Sequence, residues 1–383
     1  MSKGNRSTNT SSNSNFLSLN KNLLQYTFRF NNKNDYYSLL RIKNKRLFSI
    51  IYDIRLHFLN NFFMSNPTSL KVQSILATDC RGGPFPNRFV VFSFNRLQIL
   101  AYSSLQNKIV LLNIETKNHY HTFEGHKNTI LCLRENVIQN TQYLITSSFD
   151  SSCKVWNINK LSCELTLNHP HLSSFIYSCL LLSLNNSNFI VTSVCSKEPI
   201  RVFDFKGYFV SQYGDGTDYN YFIDFWQGIY NEPLIIDTTN NDVRIYNLED
   251  NTCKIYKEDD TSSQHWNAVV FETEKTVFLL DADNEGIIRI WDLYKENLVS
   301  SLKIGGSLKT ILIWNKFYII VVDNNSIKVI NIIEGTVVNN LFIGDKIEYC
   351  MGMISKCFIK KYGEIMIGGY DNQLILWSTN ILL

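Results

Sequence analysis

Residues 150–157 read Asp150-Ser151-Ser152-Cys153-Lys154-Val155-Trp156-Asn157. Asp-Ser-Ser is a tight-turn sequence. The five residues after it form a short apolar run ending in Asn, a second turn former. The end of this stretch recurs along the chain. It appears as Val110-Leu111-Leu112-Asn113, Arg201-Val202-Phe203-Asp204, Arg244-Ile245-Tyr246-Asn247, Arg289-Ile290-Trp291-Asp292 and Lys328-Val329-Ile330-Asn331, and last as Ile375-Leu376-Trp377-Ser378. The final residues of successive copies lie 44, 47, 43, 45, 39 and 47 positions apart.

Each interval has the same contents. Around the second copy, Thr129 to Arg134, Tyr143 to Ser147, Cys153 to Asn157 and Cys163 to Leu167 are strand-like runs separated by polar turns. The fifth interval repeats this as Trp266 to Phe271, Val277 to Leu280, Ile287 to Trp291 and Leu298 to Leu302. Four short strands per repeat make an antiparallel meander. Seven copies at this period predict an all-β ring of seven four-stranded blades.

These residues resemble the WD40-repeat (β-transducin-like) family, over roughly residues 69–383. The second repeat matches best, opening on Gly125-His126 and closing on Trp156-Asn157; Trp291-Asp292 is a literal Trp-Asp pair. The resemblance implies a structural hydrogen-bond chain of His126, Thr146, Asp150 and Trp156. The physics agrees, because a buried indole N–H needs an acceptor. Other repeats depart from the pattern. The fifth has His265 and Trp291 but Glu285 where Asp is expected, and the seventh has Asp371 and Trp377 without a His. The rest replace Trp with Leu112, Phe203, Tyr246 or Ile330.

A propeller must hide its sheet edges. Only six residues follow Trp377, too few for an outer strand of the last blade. The strand-like run 69–77 is expected to supply it, so that the propeller spans 67–383. Residues 1–66 form an N-terminal extension. Its first fifteen residues are mostly Ser, Thr and Asn, a disordered composition. Tyr26 to Phe30 alternates like a strand, and 46–64 reads as an amphipathic helix with a wide apolar face.

Composition narrows the function. The chain is 45% hydrophobic and 13% aromatic, with 25 Phe and 20 Tyr, which favours strands. Its net charge of +3 divides unevenly: residues 1–78 carry eleven Lys/Arg and two acids, and the remainder is net acidic. Nine Cys without a C-x-x-C pair suit reduced core thiols. No nucleotide-binding, hydrolase or metalloprotease motif occurs. His119 with His121, and His169 with His171, lack partner ligands, so no metal or cofactor is expected.

Loops joining blades and the second-to-third strand turns share one face of such a ring. Acidic loops with aromatics there, at Tyr213, Asp215, Asp218, Tyr219, Glu258, Asp259, Asp260 and Trp266, are expected partner-binding residues, with Tyr221 among the aromatics that flank them. The expected function is a non-catalytic scaffold joining other proteins in a multi-subunit assembly. A ubiquitin-ligase substrate receptor is one alternative. An RNA-associated assembly factor is another, with nucleic acid meeting only the basic residues 1–66. The expected setting is cytoplasmic or nuclear. Mitochondrial targeting is the alternative, since no acid occurs in the first 34 residues.

Overall fold

A computed structural model describes residues 70–81, 88–168, 175–194, 196–258, 263–273, 275–315, 317–323, 326–342, 350–359, 363–370 and 372–378. The expected strand at 26–30, the helix at 46–64, and residues Asp259, Asp260, His169, His171 and Asp371 fall outside them. The described residues are strands and turns, without a helix, so none is long and apolar enough to cross a membrane.

Seven four-stranded antiparallel sheets follow in order. Blade 1 is Phe89–Phe94, Leu97–Ser103, Ile109–Asn113 and His119–Phe123. Blade 2 is Ile130–Ile138, Thr141–Ser148, Ser152–Asn157 and Ser162–Asn168. Blade 3 is Ile176–Leu184, Ser187–Val194, Ile200–Asp204 and Phe209–Tyr213. Blade 4 is Asn220–Gln227, Pro233–Thr239, Val243–Asn247 and Cys253–Tyr256. Blade 5 is His265–Glu272, Val277–Asp283, Ile287–Asp292 and Asn297–Lys303. Blade 6 is Thr310–Ile313, Tyr318–Val322, Ser326–Asn331 and Thr336–Phe342. Blade 7 is Cys350–Ile359, Gly363–Tyr370, Gln373–Ser378 and, from the other end of the sequence, Lys71–Ala77. The first strands of neighbouring blades touch in cyclic order and line the centre.

The core is divided among seven apolar clusters, each shared by two neighbouring blades. Ile99, Leu111, Leu144 and Trp156 join blades 1 and 2, for example, and Ile223, Ile235, Val202 and Tyr213 join blades 3 and 4. Alternation makes this possible, since a strand buried on both faces feeds two clusters. Cys132, Cys153 and Cys179 serve as small core residues between blades 2 and 3. Burial pushes the Cys132 and Cys179 thiols upward, so they are inert as nucleophiles.

Turn chemistry explains the repeated signature. Its last residue closes the hairpin to the outer strand. The side-chain oxygens of Asn113, Asn157, Asp204, Asn247, Asp292 and Asn331 accept backbone N–H groups two or three residues on, for instance from Glu115 at 2.9 Å and Lys160 at 2.9 Å. An Asx turn needs the short polar side chain there. The inner hairpins of blades 1 to 3 turn at Asn95-Arg96, Gln139-Asn140 and Asn185-Asn186, each with both residues at positive φ. Two-residue loops of that kind match strand twist, and Asn tolerates them best.

The closing strand pairs Lys71 with Ser378 and Ala77 with Leu374. It begins two residues later than the expected 69. Leu70 enters the cluster between blades 6 and 7, while Leu76 and Ala77 enter the one between blades 7 and 1. Removing it uncovers a sheet edge and opens two interfaces. Burial of two Leu side chains and an Ala is worth on the order of 5 kcal/mol. A chain of residues 78–383 is expected to melt roughly 10 °C or more below a chain of residues 67–383 in a thermal scan; equal melting temperatures would refute closure.

Candidate functional site

Two arrangements stand out, one polar and structural, the other aromatic and at the surface. The polar one lies in blade 2. The Trp156 indole Nε1 donates to Thr146 Oγ1 at 2.9 Å. His126 Nε2 meets the same hydroxyl at 2.7 Å, and its Nδ1 meets Asp150 Oδ2 at 2.9 Å. A carboxylate only accepts, so Nδ1 carries the proton and Nε2 accepts from Thr146. The donors therefore run Trp156 to Thr146 to His126 to Asp150. Asp150 also accepts from the Lys127 amide at 2.8 Å and from Ser152 Oγ at 2.6 Å. Burial opposes its ionisation, yet these bonds hold its carboxyl well below the usual range. Burial also lowers the pKa of His126, against the pull of Asp150. Gly125 is required beside it: at φ 150°, an added Cβ would lie 3.2 Å from the Trp156 ring.

The same second-strand position decides the chemistry of other blades. Thr146 pairs in register with Lys154, Thr192 with Arg201, Asp237 with Arg244 and Asp281 with Arg289. In blade 5, Asp281 takes both roles that Thr146 holds. Its carboxylate accepts from Trp291 Nε1 at 2.6 Å and from His265 Nδ1 at 2.9 Å. His265 is not placed as His126 is. It occupies the register position of Ile130, inside the first strand, whereas His126 sits four residues earlier in the loop. Glu285 stays at the turn and is replaced in the network by Asp281, ten residues before Trp291 as Thr146 is before Trp156. In blade 4, burial drives the Asp237 carboxyl well above its normal range. No histidine meets it among the described residues.

The expected loop residues divide. Tyr213 is a core residue, 9% exposed, with its hydroxyl donating to the Leu248 carbonyl; it packs on Tyr246 and is not a loop residue. Asp218 is turned inward onto Arg244 and Asn241. Asp215 is exposed and lies 3.6 Å from Arg244, and Glu258 accepts from Arg289 at 2.9 Å. Tyr219 is exposed, and Trp266 is half-buried. His119 meets Thr122 at 2.8 Å, and a bulge interrupts its strand before His121.

Trp266 belongs to an arrangement the loop reading did not foresee. A bulge at the start of the first strand leaves one residue unpaired in successive blades: Leu131, Tyr177, Tyr221 and Trp266. The next residue in the series is Lys309, just before the Thr310 pairing of blade 6. Tyr177 and Tyr221 stack at 6.3 Å between centroids, and Tyr221 and Trp266 lie at 4.8 Å. The Lys309 ammonium sits 4.0 Å from the Trp266 ring centroid. This level is the mouth of the central channel, where blade-joining loops arrive. Those loops bond to the second-to-third strand turns, as Tyr219 N does to Asn240 at 3.1 Å and Gln264 N to Asn284 at 2.8 Å. Deeper in the channel, Arg134 reaches from blade 2 to Asp224 of blade 4 at 2.7 Å.

Three outcomes follow from the polar networks. Thr146→Val is expected to cost about 2–4 kcal/mol in chemical denaturation, because Trp156 and His126 both lose a buried partner. His126 has a lowered folded pKa, so the unfolded chain takes up its proton first. Stability should fall as pH drops below about 6.5, and fall further below about 4 as unfolded Asp150 protonates; His126→Asn should flatten the first of these slopes. Asp237 has the opposite sign: its raised pKa costs stability as pH rises above about 4. Asp237→Asn should raise the melting temperature at pH 8 and leave it unchanged near pH 4.

The family model described as WD domain, G-beta repeat matches residues 117–157, the segment that contains all four members of the blade 2 chain. None of the curated proteins compared with the chain matches it. The repeat match in blade 2 and the closed ring of seven four-stranded blades together support a WD-repeat β-propeller.

Proposed function

We propose that the protein is a non-catalytic scaffold that holds other proteins together, with the mouth of its channel as a principal binding face. The WD-repeat propeller fold is typical of protein-interaction scaffolds. The observation that carries the reading is the aromatic arc of Tyr177, Tyr221 and Trp266, half-buried at the face where the blade-joining loops converge. Large rigid aromatics give much contact area at low entropic cost and dominate interface energetics. The arc stands on first strands locked by their neighbours, so it is preorganised. The polar groups of the same face have structural duties. His126 is committed to Asp150 and Thr146, His265 and the Trp291 indole to Asp281, and Arg244 and Arg289 to carboxylates. This supports binding over turnover.

Affinity purification from the native cell, followed by mass spectrometry, tests this. The full-length protein should bring down a stoichiometric set of proteins, and a Tyr221→Ala/Trp266→Ala variant of unchanged melting temperature should lose part of that set. Retention of the whole set by the variant would move recognition away from the mouth.

A further inference from the structure

The arc does not end on an aromatic residue. Its fourth position is Lys309, only 8% exposed. Its ammonium lies on the Trp266 face, and among the described residues no carboxylate pairs with it. The neighbouring cations are treated differently. Arg244 has Asp242 at 2.8 Å, Arg289 has Asp283 at 2.7 Å, and Lys328 has Asp323 at 2.8 Å. Burial alone, without an opposing acid, brings the Lys309 ammonium down to about 8. A cation removed from water without a counter-ion is costly, and an incoming anion relieves that cost.

We infer that Lys309 and the Tyr177–Tyr221–Trp266 arc form a recognition site for a peptide segment in which a Glu or Asp side chain adjoins an aromatic or aliphatic residue. The inference rests on the channel mouth being the binding face. The carboxylate meets Lys309, and the apolar neighbour stacks on Tyr221 and Tyr177. The surroundings select against a polyanion. Of the acids that hold Arg244 and Arg289, Asp215 and Glu258 keep exposed carboxylates, while Asp242, Asp281 and Asp283 are buried against the arginines. A nucleic-acid backbone would bring repeated phosphates against these acids. One carboxylate fits one lysine, and basic residues flanking it in the peptide would meet the acidic rim. A cationic anchor is disfavoured, because the Trp266 face already holds an ammonium.

The test is selection from a displayed library of random dodecapeptides on the full-length protein and on Lys309→Met. The wild type should enrich peptides with Glu or Asp beside an aromatic or aliphatic residue, and Lys309→Met should not. For the strongest peptide, Lys309→Met and Glu→Gln in the peptide should each weaken binding about tenfold or more, and together no further, since both remove one pairing. Lys309→Arg should retain most of the affinity, which separates charge from packing. The inference is overturned if both proteins enrich the same peptides, if no peptide is enriched, if basic peptides are preferred, or if a single-stranded DNA binds more tightly than the best peptide. If it falls while Tyr221→Ala/Trp266→Ala still loses native partners, the mouth remains the binding face and only the carboxylate chemistry is wrong. If neither effect is seen, both readings fall.

Discussion

A blade of this protein has no inside of its own. Each sheet buries its two faces against the sheets before and after it, so the seven apolar clusters are interfaces and not centres. An open row would leave two faces bare, each large enough to drive association. The ring must therefore close, and the arithmetic of repeats leaves one strand short at the end. Pairing of Lys71–Ala77 with Gln373–Ser378 supplies it with backbone hydrogen bonds instead of side-chain packing alone. Everything else, including the level at which Tyr177, Tyr221, Trp266 and Lys309 meet, depends on that constraint.

Within the ring, a single second-strand position shows how one backbone accepts different chemistries. Thr146 links an indole to a histidine; Asp281 does both with one carboxylate and then needs Arg289; Asp237 meets no histidine among the described residues, and burial raises its carboxyl. Val321 occupies the same register in blade 6, opposite Lys328, and simply packs. The polar chain is one solution to burying a strand here, and apolar packing is another. Blade 6, which lacks the Trp, is held by the second.

The ring was legible in the sequence because it is periodic. A turn former every forty-odd residues, after a short apolar strand, has a direct physical cause in the Asx turn that closes each outer hairpin. The blade 2 chain was legible from the family resemblance, since His126, Thr146, Asp150 and Trp156 keep its spacing. Asp281 stands at the same offset from its Trp as Thr146, but the WD40 pattern puts its acid in the turn, so an acid inside the second strand carries no signal of its own. Tyr213 ends the outer strand of blade 3, and its alternation turns it into the core between blades 3 and 4. The aromatic arc had no linear signal. Tyr177, Tyr221, Trp266 and Lys309 lie more than forty residues apart, and only the bulges that expose them at one level bring them together. The chain's many Asn residues have a use in the paired positive-φ turns, where Asn tolerates the left-handed region best.

The closing strand also has a bearing on time. Lys71 must wait for Ser378, its partner in the ladder, and about 300 residues separate them. At the usual pace of synthesis, roughly 5–20 residues per second, the first strand emerges tens of seconds before the strand it needs. Through that interval Leu70, Val72, Ile75 and Leu76 are an orphan apolar segment, and each finished blade shows a bare face to the cell. Loop closure over such a span is slow, and unpaired edges attract the wrong partners. The ring that is rigid once shut thus carries unpaired edges and bare faces while it is being made.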